Sequence, residues 1–230
     1  MNNYILQIDT ATEICSVSIG SNGEILGRID ASEPNLHASK LTVFIHQLLC
    51  KLQLQYTDLD AVAVSMGPGS YTGLRIGIST AKGLCYALDI PLIGINTLAS
   101  IMEGYSNSRE SKDTDLFIPM LDARRMEVYM AVYNGIGELI KPTEARIIDQ
   151  NSFDEYLDNH IYLFGSGAAK LADTFAGRDM IHIDLDYHHS SAWLTKVAFE
   201  RYINSEFEDL VYFEPFYLKE FVATMPKKIV

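Results

Sequence analysis

The sequence predicts an α/β protein built of two similar lobes, and three observations point there. Apolar runs of strand length alternate with segments of helical length, most clearly where residues 60–65 run into Gly67-Pro68-Gly69-Ser70-Tyr71-Thr72-Gly73 and a helical stretch to residue 87. Strand, glycine turn and helix in that order mark an α/β unit. The order β-β-β-α-β-α-β-α can also be read twice, before and after a polar segment at 106–115 that lacks apolar residues. Finally, 230 residues with 48% hydrophobic and 10% aromatic content suffice for a packed core.

The first lobe spans residues 1–105. Residues 4–9, 14–19 and 24–31 read as strands, with Asn22-Gly23 as a hairpin turn. From 37 to 54, Leu41, Phe44, Ile45, Leu48, Leu49 and Leu52 recur with the spacing of an amphipathic helix. The strand at 60–65 leads to a helix at 71–87 with Ser70 as its N-cap. A short strand at 91–95 and a helix capped by Thr97 complete the lobe.

The second lobe, 106–230, repeats the order. A strand at 116–121 ends in Asp122 as the first strand of the chain ends in Asp9. Strands at 127–133 and 139–148 follow, joined at Asn134-Gly135, then a helix capped by Ser152 and a strand at 161–164. Gly165-Ser166-Gly167 opens a further helix, followed by a strand at 180–183 and a helix from Ser190 to Asn204. This last helix and the tail are expected to pack back on the first lobe.

The glycine block matches no phosphate loop. A Walker loop needs GxxxxGK[ST] and a dinucleotide loop GxGxxG, and neither is present. Gly73, Gly77 and Ala81 instead share one helical face. A helical glycine costs about 1 kcal/mol against alanine, so two of them call for close approach of another backbone. That backbone is either in this chain's own core or on a partner. On the second reading, Leu41, Ile45 and Leu48 of the first helix join Tyr71, Gly73, Leu74, Gly77, Ile78 and Ala81 of the second in a partner-binding surface. Gly77→Leu would then weaken pairing and leave the chain folded.

A net charge of −12 argues against stand-alone nucleic-acid binding, which draws most of its affinity from basic surface. The basic residues Lys219, Lys227 and Lys228 read as a solvated tail or a phosphate-contacting arm. No apolar run approaches the roughly 20 residues needed to cross a membrane, and the N-terminus lacks a basic leader, so a cytoplasmic protein is expected. Cys15, Cys50 and Cys85 lack CxxC spacing, and no HxxxH or HExxH exists, so no metal site is expected. Ser70 does not sit in GxSxG, and no catalytic residue is assigned. Arg75 either pairs a carboxylate or points outward.

The doubled β-β-β-α-β-α-β-α order resembles the actin-like ATPase superfamily, where a hairpin in each lobe carries Asp followed two residues later by Gly. Here the triplets are Asp9-Thr10-Ala11 and Asp122-Ala123-Arg124, which retain the acid and lack the glycine. The resemblance therefore implies a degenerate nucleotide site with Asp9, Thr10, Asp122, Gly165 and Gly167 as its residual contacts. More specifically, Ile8-Asp9-Thr10-Ala11-Thr12, the glycine block with Ala81-Lys82-Gly83-Leu84, Asp122-Ala123-Arg124 with Glu127-Val128-Tyr129, and Pro215-Phe216-Tyr217-Leu218-Lys219 resemble the TsaB (YeaZ) family along nearly the whole chain. Tyr71 stands where that pattern has Phe, and Lys219 where it has Arg.

The resemblance implies a non-catalytic scaffold that binds and activates a TsaD-type transferase. That partner forms N6-threonylcarbamoyladenosine at the tRNA adenosine beside the anticodon. It further implies a TsaE-type ATPase in the assembly, a homodimer when the partner is missing, and tRNA contacted mainly through the complex. It implies no cofactor of the chain's own, with ADP or ATP at the junction with the partner. The alternative is an active actin-like ATP-dependent phosphotransferase or nucleotide hydrolase.

Overall fold

The computed structural model describes residues 2–33, 36–106 and 111–219. Strands β1 (Tyr4–Asp9), β2 (Cys15–Ser21) and β3 (Glu24–Ala31) form a meander, followed by α1 (Leu36–Lys51), β4 (Leu59–Gly67), α2 (Tyr71–Leu88), β5 (Leu92–Asn96) and α3 (Thr97–Ser106). The second half runs β6 (Leu116–Asp122), β7 (Glu127–Asn134), β8 (Leu139–Ile147), β9 (Ile161–Phe164), β10 (Ile181–Asp184) and α4 (Thr195–Ile203). The first sheet has the order β3-β2-β1-β4-β5 and the second β8-β7-β6-β9-β10, the same plan twice. In each, the first strand pairs antiparallel with its hairpin neighbour and parallel with the fourth: Leu6 lies beside Ile19 and Val62, and Phe117 beside Tyr133 and Tyr162.

The alternation of side chains along β1 divides the first lobe's core. Leu6 and Ile8 face α1 and α2, where they meet Leu41, Ile45, Leu48 and Leu49 of α1 and Ile78, Ala81 and Cys85 of α2. Ile5 faces the other way, with Ala61, Ala63, Ile93 and Ile95, and is covered by Leu194 and by Ala198 of α4. Thus α4 follows the last strand of the second sheet and packs on the first. Conversely, α3 of the first half lays Leu98, Ile101, Met102 and Tyr105 on Phe117, Leu121, Ala131 and Phe164 of the second sheet. The two crossed helices tie the lobes together by burial.

The second lobe departs from the predicted order where its two middle helices were expected. Short 3-10 turns stand there instead, at Asp154–Tyr156 and Ala169–Leu171. Ser152 closes a turn with Asp149, accepting its N–H at 2.8 Å and donating to its carboxylate at 2.9 Å, so the hydroxyl is used up before a helix can start. The second segment is bounded by Gly165 and Gly177, both at positive φ (94° and 82°). Both segments are short for a stable helix, and burial of Phe153, Ala168, Leu171 and Phe175 holds them without one.

Two local expectations also shift. The cap of α3 is Asn96, whose Oδ1 accepts the N–H groups of Leu98 and Ala99 at 2.9 and 3.2 Å, while Thr97 is buried. The second-lobe hairpin closes over Asn134–Glu138 and takes its positive φ (86°) at Gly137. Gly135 instead lets the backbone pass Lys112: a Cβ there would lie 1.8 Å from that carbonyl oxygen. Of the polar segment 106–115, residues 107–110 lie outside the described residues, as do Lys227 and Lys228.

After α4 the chain runs along the first lobe. The Lys82 ammonium donates to the Val211 and Phe213 carbonyls at 3.2 and 3.1 Å, and the Phe216 N–H bonds the Met66 carbonyl at 2.7 Å. It then reaches the second lobe, where Lys219 pairs with Glu127 of β7.

Candidate functional site

The glycine block meets the loop after β1. Ser70 caps α2 as expected, its hydroxyl accepting the Gly73 N–H at 3.2 Å, and its own N–H bonds the Ala11 carbonyl at 2.7 Å. The Thr10 hydroxyl donates to the Gly73 carbonyl at 2.7 Å. A Cβ on Gly73 would stand 2.0 Å from the Thr10 carbonyl oxygen, and one on Gly77 2.3 Å from the Thr10 hydroxyl oxygen. The stripe of small residues is therefore spent on this chain's own β1–β2 loop.

This corrects the partner-surface assignment for most of its residues. Leu41, Ile45, Leu48, Leu74, Ile78 and Ala81 are at most 4% exposed, packed in the first lobe's own core, and Gly73 and Gly77 are covered by Thr10. A side chain with no exposed area has none to offer a partner. The earlier reading of Gly77→Leu changes with it, because the clash now falls inside the chain. Tyr71 alone stays half-buried, its ring against Tyr217 at 4.9 Å. Arg75 stacks over Tyr71 at 4.2 Å and donates to the Tyr217 hydroxyl at 3.0 Å, so it pairs with aromatic rings rather than a carboxylate.

The faces turned outward carry different residues. On α1 these are Val43, His46, Gln47 and Cys50; on α2 they are Thr72, Ser79, Gly83 and Tyr86, the last 83% exposed. At the N-terminal ends of the two helices lies a groove of about 610 Å³ lined by Glu13, Leu36, His37, Thr72 and Ile76. Because α1 and α2 lie on one face of the sheet, their outward sides form one surface. Sequence periodicity located the apolar stripes correctly and left open which way they faced.

The residual nucleotide contacts fare differently in the two lobes. Asp9 is fully buried: Oδ1 accepts the Ala11 N–H at 2.9 Å, and Oδ2 lies 2.9 Å from His189 Nε2, off the line a hydrogen bond needs. The buried hydroxyl of Tyr187 lies near the same carboxylate, and burial together with that negative charge holds its pKa well above the usual range. The same two causes push the Cys15 thiol up to about 11. No sequence signal marked His189 or Tyr187, which follow β10 and reach Asp9 only through the fold.

Asp122, by contrast, is exposed, accepts the Arg124 N–H at 3.0 Å and pairs with Lys170. Gly165 and Gly167 let their turn cross the first strand of the second sheet: a Cβ on either would meet the backbone of Met120 or Leu121 at 2.4 and 2.8 Å. Between the lobes is a cleft of about 650 Å³ lined by Ala11, Glu13, Tyr71, Asp122, Arg124 and Lys219, among others. Around these residues Asp9 lies against His189, the Ser70 N–H is taken up by the Ala11 carbonyl, and Arg124 lines the cleft. Among the described residues, no group of three or more His, Cys, Asp or Glu could hold a metal ion, and no helix is long and apolar enough to cross a membrane.

A doubled sheet plan with a cleft between the lobes defines a protein of actin-like fold. A model of the family described as TsaD, tRNA N6-adenosine threonylcarbamoyltransferase, matches residues 28–223, and the chain belongs to that family, on its TsaB (YeaZ) side. It is 36% identical over 136 residues to "tRNA threonylcarbamoyladenosine biosynthesis protein TsaB" of Escherichia coli (strain K12), a match covering 57% of each protein. To the protein of the same name from Haemophilus influenzae it is 25% identical over 232 residues, 96% of each. The structure of a Pseudomonas aeruginosa protein described as similar to "peptidase YEAZ" superposes with a TM-score of 0.77 at 25% identity, covering 94% of this chain and all (100%) of that one.

Proposed function

We propose that this chain is a non-catalytic subunit in the formation of tRNA N6-threonylcarbamoyladenosine, binding and activating a TsaD-type transferase. The observation that carries the reading is the state of Asp9, fully buried against His189 where an actin-like enzyme needs an acid open to its ligand. The relatives' names supply the pathway, and the outward faces of α1 and α2 supply the contact surface. The same surface serves a homodimer when the partner is missing. A TsaE-type ATPase completes the assembly, and any ADP or ATP is held at the junction with the partner. With a net charge of −12, tRNA contact falls mainly to the partners, in the cytoplasm.

Light scattering on size-exclusion fractions of the chain, alone and mixed with its TsaD paralogue, tests this. The expected result is a one-to-one heterodimer that displaces the homodimer. Ser79→Arg, on the outward face of α2, should weaken pairing at least tenfold, about 1.4 kcal/mol, with the chain still folded. Undiminished pairing of the folded variant would move the contact elsewhere, and no complex at all would remove the scaffold reading. An actin-like phosphotransferase would instead turn over ATP by itself and lose that turnover on Asp9→Asn.

A further inference from the structure

The segment that follows α4 is held in two unequal ways. Up to Phe216 it is built into the first lobe. The Glu208 N–H bonds the Leu92 carbonyl at 2.9 Å, and Asp209 Oδ1 accepts the Val211 and Tyr212 N–H groups at 2.8 and 3.1 Å. Phe213 is buried over Gly94, where a Cβ would stand 2.7 Å from its ring. The Phe216 carbonyl oxygen would likewise lie 2.6 Å from a Cβ on Gly67. Beyond Phe216 the support changes. Among the described residues, 217–219 have no backbone hydrogen bond. Tyr217 rests its ring on Tyr71 and accepts a bond from Arg75, both at the start of α2, while Lys219 pairs with Glu127 of β7 in the other lobe. Tyr217 is 37% exposed and the Lys219 side chain 41%, and water-exposed stacking and ion pairs hold only weakly. The same three residues line the cleft between the lobes.

We infer that residues 217–219 are a clasp across the mouth of that cleft, opening about Phe216 while the rest of the segment stays in place. Closed, the clasp joins the first turn of α2 to the β6–β7 hairpin and adds a third tie between the lobes to those of α3 and α4. Open, it frees the hairpin and widens the way to Ala11, Glu13 and Arg124 inside the cleft. Tyr217 and Lys219 are two residues apart on one short path, so both contacts are given up together. The ion pair at its far end makes the clasp weaken as salt rises.

Trypsin cuts after Lys219 only when the segment is released, so cleavage there in the native full-length chain counts the open clasp, provided opening is fast relative to cleavage. Dividing by the rate on a free peptide of residues 214–224 removes the effect of salt on the protease. Glu127→Gln should speed the cut about two- to fivefold. Arg75→Gln, at the other end and in the other lobe, should do the same by about two- to fivefold. The double variant should multiply the two factors, and added salt should speed the native cut more than that of Glu127→Gln. Ala123→Cys in a Cys50→Ser background places a thiol in the cleft, and its labelling by a maleimide should quicken in step with the cut. An unchanged cut in folded Arg75→Gln would make Lys219 an independently fraying end and overturn the clasp. Cleft labelling that stays constant while the cut speeds up would overturn its hold on the cleft.

Discussion

Asp9 and Asp122 end the first strand of their respective sheets, and each accepts the N–H of the residue two positions on, at 2.9 and 3.0 Å. Beyond that shared turn they have nothing in common. Asp9 has no exposed surface and faces a histidine delivered from the other half of the chain, whereas the Asp122 side chain is 53% exposed and pairs with Lys170. The same contrast runs through the lobes that hold them. The first has two long helices, α1 and α2, over one face of its sheet; the second covers the matching face with 3-10 turns. A duplicated plan thus carries long helices on one lobe and 3-10 turns on the other, with its first acid sealed inside and its second open to solvent.

The two acids should respond very differently to loss of the side chain each one faces. His189→Ala removes the ring that seals the buried Asp9 side chain, and a buried acceptor stripped of its neighbour typically costs about 1–3 kcal/mol, more for a charged group. Lys170→Ala removes the partner of an exposed acid and should cost no more than about 1 kcal/mol. Urea unfolding of both variants measures the difference, and Asp9→Asn added to His189→Ala should recover part of the loss. Equal small losses would mean that water reaches Asp9, and the contrast between the lobes would fail at its root.

The contrast can be sharpened with pH. Cys15 and Cys85 in the first lobe, held at about 11 and about 12, have an ordinary value of 9.0; Tyr133 in the second sheet, pushed by burial to about 12, has one of 10.0. Below pH 9 these groups are protonated in both the folded and unfolded chain, and they do not affect stability. Above it the unfolded chain releases protons that the folded chain keeps, so stability falls by about 1.4 kcal/mol per pH unit for each thiol. The tyrosine joins above pH 10, and the decline ends as pH passes each folded value. Urea midpoints measured under reductant should therefore drop between pH 9 and 10, and Cys85→Ala should roughly halve that drop. A flat profile to pH 10 would place both thiols in contact with water.

Much of the fold was legible because its periodicities are strong. The apolar run of β4, the short strand-length run of β1 and the helical spacing of Leu41, Ile45 and Leu48 depend on local burial, which the sequence records directly. The failures were of two other kinds. Segments 152–160 and 165–180 carry helical spacing, yet Ser152 and the positive-φ glycines commit their backbone to turns, a competition that periodicity does not weigh. The second kind concerns direction. Gly73 and Gly77 announced a close approach, but a strand loop of the same chain and a helix of another impose the same demand for a missing Cβ. The approach of His189 to Asp9 left no trace at all, since it depends on how far β10 carries the chain before α4 crosses over.

That ambiguity of direction gives the finest comparison, between two faces of one helix. Gly73 and Gly83 both lie within α2, but a Cβ on Gly73 would stand 2.0 Å from the Thr10 carbonyl oxygen, while one on Gly83 meets nothing within 4 Å. Gly73→Ala forces the β1–β2 loop away from the helix and should cost about 1–3 kcal/mol as overpacking against backbone. Gly83→Ala relieves the penalty of an interior helical glycine and should gain about 0.5–1 kcal/mol. Thermal or urea unfolding of the isolated chain reads both signs. The pairing experiment then adds a second use for Gly83, whose outward position makes it the place where a partner's backbone could come close. If Gly83→Ala stabilises the isolated chain yet weakens its pairing with the TsaD paralogue, the helix carries one glycine for its own loop and another for its partner. If it stabilises the chain and leaves pairing unchanged, only the inward glycines of α2 have a packing reason, and the partner surface rests on the side chains around Ser79 and Tyr86.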